Sequence, residues 1–377
     1  MKNPLCDMLG IEFPLFAFSH CRDVVAAVSR AGGFGVLGAT GHTPESIDVE
    51  LQWIDDHVGG KPYGLDVLIA ENLPVRESGA TTASLASRIP QSHRDFVSNI
   101  LSDHGIRSSG EDFMRLADAP PPFDPDLALR TLEAAFRHPI RMIANALGVP
   151  PPAMIEMGRR HGVPVAALVG AKEHAIRQVE AGVDIIVAQG GEAGGHCGEV
   201  STLVLVPEVI RAIKPIRDVP VLAAGGIMTG RQMAGCMAMG AAGAWTGSVW
   251  LATTEAETSE PFKQKMVAAR SRDTVRSKAR TGKFSRQLRS SWHDAWESAD
   301  SPGPLPMPLQ NIISERALRQ ADKAAANGNE KAMEMVTYFV GQGVGLVDGV
   351  KSAGAVVQEF KEEFAEAMSE LLATLED

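Results

Sequence analysis

The sequence predicts an α/β protein built as a (β/α)8 barrel of the TIM type, and three observations carry that prediction. Eight short apolar runs, at residues 13–18, 34–39, 63–69, 140–146, 163–168, 184–189, 219–224 and 244–249, alternate with segments of helical pattern. Alternation of this kind builds a parallel sheet. The composition agrees: 45% hydrophobic residues with 37 glycines and only two tyrosines suits strands that are apolar on both faces and turns that need small residues. Glycine-rich turns also follow several of the runs directly, at the strand ends where such a barrel keeps its chemistry.

The elements can be justified in order. After the first run, a helix over residues 23–31 ends at Gly32-Gly33. The stretch Gly33-Phe34-Gly35-Val36-Leu37-Gly38 fits the pattern GxGxxG letter for letter. A dinucleotide fingerprint must follow a strand and open a helix, whereas here a helix ends at the glycines and a strand begins inside them. The motif therefore reads as a helix end feeding a strand. Thr43-Pro44 opens the next helix as cap plus proline, and Asp124-Pro125 opens a later one. The interval from Glu71 to Phe123 is far longer than the other connections; it holds Pro120-Pro121-Pro122 and one helix near Arg94 to His104, and reads as an insertion over the barrel mouth. A further helix ends at Gly182, and another carries Met233 to Met239. Past the eighth run, residues 260–270 look helical, Ser271 to Pro308 is basic, tryptophan-bearing and proline-punctuated, and two late helices follow, the last from about Val350. This divides the chain into a barrel over residues 1–260, with the insertion at about 71–123, and a C-terminal helical cap or subdomain with closing helices over residues 261–377.

Charge and cysteine usage narrow the function classes. With 36 basic against 46 acidic residues the net charge is −10, and a nucleic-acid binder needs a basic surface. The four cysteines, Cys6, Cys21, Cys197 and Cys236, form no CxxC pair and no metal-ligand spacing, so no metal site is expected. With no signal-peptide pattern and no apolar stretch of membrane-spanning length, a soluble protein of the reducing cytoplasm is expected.

The chemistry concentrates in three turns. Gln189-Gly190-Gly191-Glu192-Ala193-Gly194-Gly195-His196-Cys197-Gly198 leaves the sixth strand. Its glycines let backbone N–H groups approach a flat or anionic ligand closely, and His196 stands among them as one group able to take or give a proton near neutral pH. Cys197 is a poor nucleophile beside it, because adjacent side chains diverge, and Glu192 either orients this loop or serves as a cap or solvent residue. Ala223-Ala224-Gly225-Gly226-Ile227 ends the seventh strand and Ala244-Trp245-Thr246-Gly247-Ser248 the eighth. Loops after these strands make phosphate sites from glycine N–H groups, a hydroxyl and the positive end of a helix. His20 and Cys21, at the end of the first strand, and Asp66, in the third, face the same end of the barrel. The basic series Arg270, Arg272, Arg276, Lys278, Arg280, Lys283, Arg286 and Arg289 reads first as a solvated face paired with acids and second as a receiver for a phosphorylated substrate or carrier.

Taken together, the QGGEAGGHCG loop, the AAGGI turn, the segment Gly243 to Thr253 and the opening from Phe13 to Gly38 resemble the nitronate monooxygenase family, formerly 2-nitropropane dioxygenases. The likeness runs in order from about Pro4 to Ala256, and Thr337-Tyr338-Phe339-Val340-Gly341-Gln342 resembles a motif near that family's C-terminus. The resemblance implies non-covalent FMN, with the phosphate held by backbone at Gly225, Gly226, Gly247 and Ser248 and the isoalloxazine near Gln189, Gly194, Gly195, Phe18 and Asp66. It makes His196 the catalytic base. The implied reaction takes a small nitronate and O2 to a carbonyl compound and nitrite, with no reduced nicotinamide consumed. Chemically, a carbon acid needs a base poised beside an electron acceptor.

Three departures from the family pattern are expected to remodel the mouth. The first strand reads Phe16-Ala17-Phe18-Ser19-His20 where an Ala-Pro-Met turn is usual, Asp66 stands where asparagine is common, and residues 71–123 are additional. A carboxylate at Asp66 would disfavour a reduced, anionic flavin. The same fold and GGH loop occur in flavin-dependent enoyl-thioester reductases and in NAD(P)H:quinone reductases, so use of NAD(P)H is the rival reading. A flavin-free barrel for a sugar phosphate or nucleotide, or a binding module without turnover, is the third. Oligomeric state is not legible in the sequence.

Overall fold

The computed structural model describes residues 1–69, 82–107 and 125–375. Eight parallel strands close into a barrel: β1 Leu15–Ser19, β2 Phe34–Gly38, β3 Tyr63–Val67, β4 Met142–Asn145, β5 Val165–Val169, β6 Ile185–Gln189, β7 Val221–Ala224 and β8 Gly243–Thr246. Closure is by β8 pairing with β1, in the register Phe16 to Trp245. Each of the eight predicted runs coincides with a strand; β2, β3, β4, β6 and β7 lie within their runs, while β1, β5 and β8 each extend one residue beyond theirs. Pro14 has no N–H to give a ladder, so β1 starts after it. Gly247-Ser248 turns out of β8 into a 3-10 helix, Ser248–Ala252, which shortens the predicted 244–249.

Helices Arg22–Arg30, Pro44–His57, Pro125–Ala135, Pro152–His161, Lys172–Ala181, Thr202–Ile213 and Gly230–Ala238 follow β1 to β7. The Thr43 hydroxyl caps the second as expected, accepting from Ser46 N–H at 3.2 Å, and Gly182 ends the helix before β6 in a left-handed conformation. The GxGxxG letters do sit where a helix gives way to β2. A Cβ on Gly35 would lie 2.3 Å from the Val25 carbonyl oxygen, so the glycine allows helix and strand to pack closely. The outer core lies between strands and helices, and a second core fills the barrel with Phe16, Phe34, Met142, Val187, Leu222 and Trp245 above Leu5, Cys6 and Leu9 of the N-terminal helix Pro4–Leu9.

The eighth helical position is taken from far along the chain. Ala353–Ala373, the last helix, lays Val356, Val357 and Phe360 into the outer core, and its Glu363 carboxylate accepts from Gly230 N–H at 2.7 Å. Between β8 and that helix lie helix Glu260–Ala268, an antiparallel hairpin of β9 Thr274–Ser277 and β10 Ser285–Leu288, and helices Ser291–Trp296, Leu309–Ala326 and Glu330–Met335. Three late helices therefore stand where two were expected. The helix expected near residues 94–104 is Gln91–Asp103, preceded by Thr82–Ala86; the triple proline lies outside the described residues. Ile89, Val97 and Leu101 of this segment form one core with Trp292, Trp296 and Ile313. The described part of the insertion thus backs the cap rather than covering the mouth itself, because helix Leu309–Ala326 stands between it and the barrel's open end. No helix among the described residues is long and apolar enough to cross a membrane.

Candidate functional site

A cavity of about 1140 Å³ opens at the C-terminal ends of the strands. The expected base and all the expected cofactor-binding residues line it: Phe18 of β1, Asp66 of β3, Gln189 of β6, Gly194, Gly195 and His196 of the loop after β6, Gly225 and Gly226 after β7, and Gly247 and Ser248 after β8. His20 and Cys21 line it too. The opposite wall comes from the cap, with Arg280, Thr281, Lys283 and Phe284 between β9 and β10 and Asn311, Glu315, Arg319 and Lys323 on helix Leu309–Ala326.

The glycine loop is held from several sides. Gly190 N–H donates to Ala224 at the end of β7, and Gly191 N–H to Val200. Gly195 and Arg286 of β10 exchange backbone hydrogen bonds at 3.0 and 2.8 Å, while the Arg286 guanidinium donates twice to the Gly191 carbonyl. Gln342 N–H donates to the Glu192 carbonyl, which brings the 337–342 motif onto the loop. The Glu192 side chain is a helix cap: its Oε2 accepts from the N–H and hydroxyl of Thr202 at 2.8 and 3.0 Å and does not reach the histidine.

His196 Nε2 lies 2.9 Å from Thr281 Oγ1. The Thr281 hydroxyl has the Lys283 carbonyl at 3.0 Å as an acceptor for its one hydrogen. In that arrangement it accepts from the ring, Nε2 carries the proton and Nδ1 keeps its lone pair. Although the ring is accessible from the cavity, surrounding protein and then the Lys283 charge push its pKa down to about 4. At neutral pH the imidazole is uncharged and ready to accept a proton.

At the ends of β7 and β8 the backbone forms a cradle. Gly225 and Gly226 have φ of 108° and 73°, values that a side-chain-bearing residue adopts only under strain. The N–H groups of Gly225, Gly226 and Gly247 have no acceptor among the described residues. The Ser248 hydroxyl accepts from Gly341 N–H at 2.9 Å and keeps its own hydrogen to donate. Unpaired amides at one corner of a cavity call for an anion or solvent. The first N–H of helix Gly230–Ala238, after β7, donates to the Glu363 carboxylate.

Phe18 lies on Trp245 with ring centroids 6.2 Å apart and planes at 23°, which makes an apolar shelf beside Gln189 and Asp66. Asp66 is 3% exposed, its side chain makes no hydrogen bond or ion pair, and burial pushes its pKa up to about 8. The expected carboxylate is thus shifted toward its neutral acid form, because no cation or donor among the described residues offsets its desolvation. A cavity with orphan amides at one end, an apolar shelf and a histidine at the other fits a flavin with its phosphate tail.

Sequence reasoning missed Thr281, which has no helical or strand periodicity to mark it and meets His196 across 85 residues. Arg286 was noted only as part of a basic run. Three of its eight members are paired with acids, Arg276 with Glu199, Arg280 with Glu315 and Arg289 with Asp294, and of these Arg280 is buried.

Comparison with known proteins agrees with this geometry. The model of the nitronate monooxygenase family matches residues 2–363. A Mycobacterium tuberculosis protein named as a monooxygenase is 51% identical over 380 residues, covering 98% of each chain, and a Staphylococcus aureus protein named as a nitronate monooxygenase is 26% identical over 357 residues, covering 90% of this chain and 91% of that one. Among solved structures, a nitroalkane oxidase from Streptomyces ansochromogenes superposes with a TM-score of 0.78 at 25% identity, over 97% of this chain and 99% of that one. FabK from Thermotoga maritima does so with 0.73 at 25% identity, over 99% of each. A family match along nearly the whole chain, on a barrel whose open end presents the glycine loop and its histidine, makes this protein an oxidoreductase of the nitronate monooxygenase family.

Proposed function

We propose that the protein is an FMN-dependent nitronate monooxygenase that oxidises small alkyl nitronates with O2 to a carbonyl compound and nitrite. The observation that carries the reading is the joint placement of the amide cradle and His196, held by Thr281 and shifted toward its neutral form, in one cavity. Gly225, Gly226, Gly247 and Ser248 would hold the phosphate, while Phe18, Asp66, Gln189, Gly194 and Gly195 would border the ring. When bound, the flavin supplies the two-electron acceptor that oxygen restores. The chain does the rest. His196 Nδ1 takes the α-proton from a neutral nitroalkane, or receives an already ionised nitronate as the imidazolium partner its anion favours. The depressed basicity of the ring makes the preformed nitronate the easier substrate, because an incoming anion offsets both desolvation and the Lys283 charge. Leu168, Ala193 and Trp245 line the interior side and keep the reacting carbon away from bulk water.

A second reading, hydride transfer from NAD(P)H to an enoyl thioester or quinone, is favoured by the likeness to FabK and by exposed Lys283, Arg319 and Lys323 on the cap wall, which suit a phosphate. Anaerobic mixing of the flavoprotein with ethyl nitronate, and separately with NADH or NADPH, decides between them. Bleaching of the flavin by nitronate and not by nicotinamide is the expected result; bleaching by nicotinamide alone transfers the protein to the reductase reading.

A further inference from the structure

Asp66 differs from the fully buried polar groups beside it at the strand ends. Asn145, its neighbour on β4, is satisfied by the Ile69 backbone in both directions, and Thr246 of β8 donates to the Phe16 carbonyl. Asp66 has no partner among the described residues, although it sits near the C-terminal end of β3 in register with Gly38 and Ala144 and is buried at the cavity wall. A buried carboxyl in that position either finds a cation or keeps its proton. No cation among the described residues pairs with it. The flanking strands β2 and β4 carry no ionisable side chain. The histidines that face the same cavity, His20, His42 and His196, are all shifted toward the neutral form by burial. Glu50, Glu257, Arg280, Lys283 and Glu315 line its outer parts, and burial alone accounts for the state of Asp66.

A neutral carboxyl is one strong donor in need of an acceptor. The described residues supply none, which leaves the bound ligand to do so. We propose that Asp66 is an uncharged hydrogen-bond donor to an acceptor atom on the edge of the bound flavin ring, a contact that seats the ring and favours its reduction. The proposal rests on the FMN reading above. It reverses the electrostatics of the aspartate: a fixed donor strengthens as negative charge builds on the ring, where a carboxylate would oppose that charge. It also explains how this chain tolerates aspartate beside a redox group, since the protonated acid presents the O–H that an amide would present as N–H. Asp66 then touches the cofactor and not the carbon acid, which leaves base chemistry to His196.

The test uses full-length protein reconstituted with FMN, as wild type, Asp66→Asn, Asp66→Leu and Asp66→Ala. Flavin fluorescence gives the affinity. Asp66→Asn is expected to bind FMN within about threefold of wild type and Asp66→Leu about tenfold more weakly, the worth of one hydrogen bond. Equilibration with a reference dye at pH 7 is expected to show the flavin of Asp66→Asn reduced as readily as in wild type. Infrared difference spectra of the wild type, with and without ¹³C-labelled aspartate, are expected to show a protonated-carboxyl band that shifts on reduction and is missing from Asp66→Asn. Wild-type affinity in both Leu and Ala variants, reduction made tenfold or more easier in Asp66→Asn, or no acid band in the wild type would each overturn the proposal. The infrared measurement on wild type stands even where a variant fails to fold. Wild-type protein that leaves FMN fluorescence unquenched would instead bring down the cofactor reading, and the proposal with it.

Discussion

Thr281→Val isolates the tautomer of His196. Valine keeps the volume of threonine and deletes the one acceptor that Nε2 has, at 2.9 Å. The hydroxyl is also bonded to the Lys283 backbone through its own hydrogen at 3.0 Å, so its lone pair is turned toward the ring. Losing one neutral hydrogen bond costs about 0.5–1.5 kcal/mol, which is roughly two- to tenfold in the population of the productive orientation. We expect kcat for a neutral nitroalkane to fall by about that factor, with KM little changed and FMN affinity unchanged, since Thr281 makes no hydrogen bond to Gly225, Gly226, Gly247 or Ser248. A preformed nitronate, which needs no deprotonation, should be affected less. Thr281→Ser, which restores the hydroxyl, should recover most of the rate. Steady-state oxygen consumption with each substrate form, run across pH 5–9 in ~0.5-unit steps so that the basic limb can be compared, is the assay. Wild-type nitroalkane rates in Thr281→Val, or a serine variant as slow as the valine one, would show that Thr281 does not position the base.

Three further outcomes follow from the same geometry. His196→Asn is expected to retain FMN, seen as an unchanged visible spectrum, and to lose about 10²-fold or more in turnover of the neutral carbon acid, the usual worth of a general base. Gly225→Ala places a side chain at φ 108° and a Cβ 2.8 Å from Thr202 Oγ1; we expect at least about 1–2 kcal/mol of destabilisation in denaturant titration and loss of most bound flavin. Finally, His293 is fully buried and its pKa is pushed down to about 4, chiefly by burial, so the unfolded chain takes up a proton that the folded one refuses. Its contribution is present above about pH 6.5 and is lost as pH falls toward 4; thermal midpoints at pH 7 and pH 5 should therefore differ less in His293→Gln than in wild type.

What the sequence made legible was what short-range patterning encodes. Buried parallel strands are apolar on both faces, so β2, β6 and β7 announce themselves as runs such as Ile185-Ile186-Val187-Ala188, and the glycines that follow mark the turns. The hairpin of β9 and β10 gave no such signal: Thr274-Val275-Arg276-Ser277 and Ser285-Arg286-Gln287-Leu288 lack a clean alternation, and their pairing is secured by partners elsewhere, Gly195 and Phe339. The last helix read correctly as a helix, but its place as the eighth stave of the barrel depends on Phe360 and Glu363 meeting a helix more than a hundred residues earlier. Asp66 was legible as a letter, but what pushes its pKa up, burial with no partner among the described residues, appears only in the folded chain.

The division of labour in the cavity follows from that contrast. The cofactor side is made by backbone at strand ends of a closed barrel, where residue identity matters mainly at glycines and position is set by the sheet register. The reacting side is made by side chains that converge from the loop after β6, from the β9–β10 turn and from helix Leu309–Ala326. Changes in the β9–β10 turn therefore reach the substrate without touching the Gly225, Gly226 and Gly247 amides. Arg286 is the coupling between the two: its backbone pairs with Gly195 and its guanidinium holds Gly191, so a shift of the hairpin moves Thr281 and the glycine loop together and keeps His196 facing its partner.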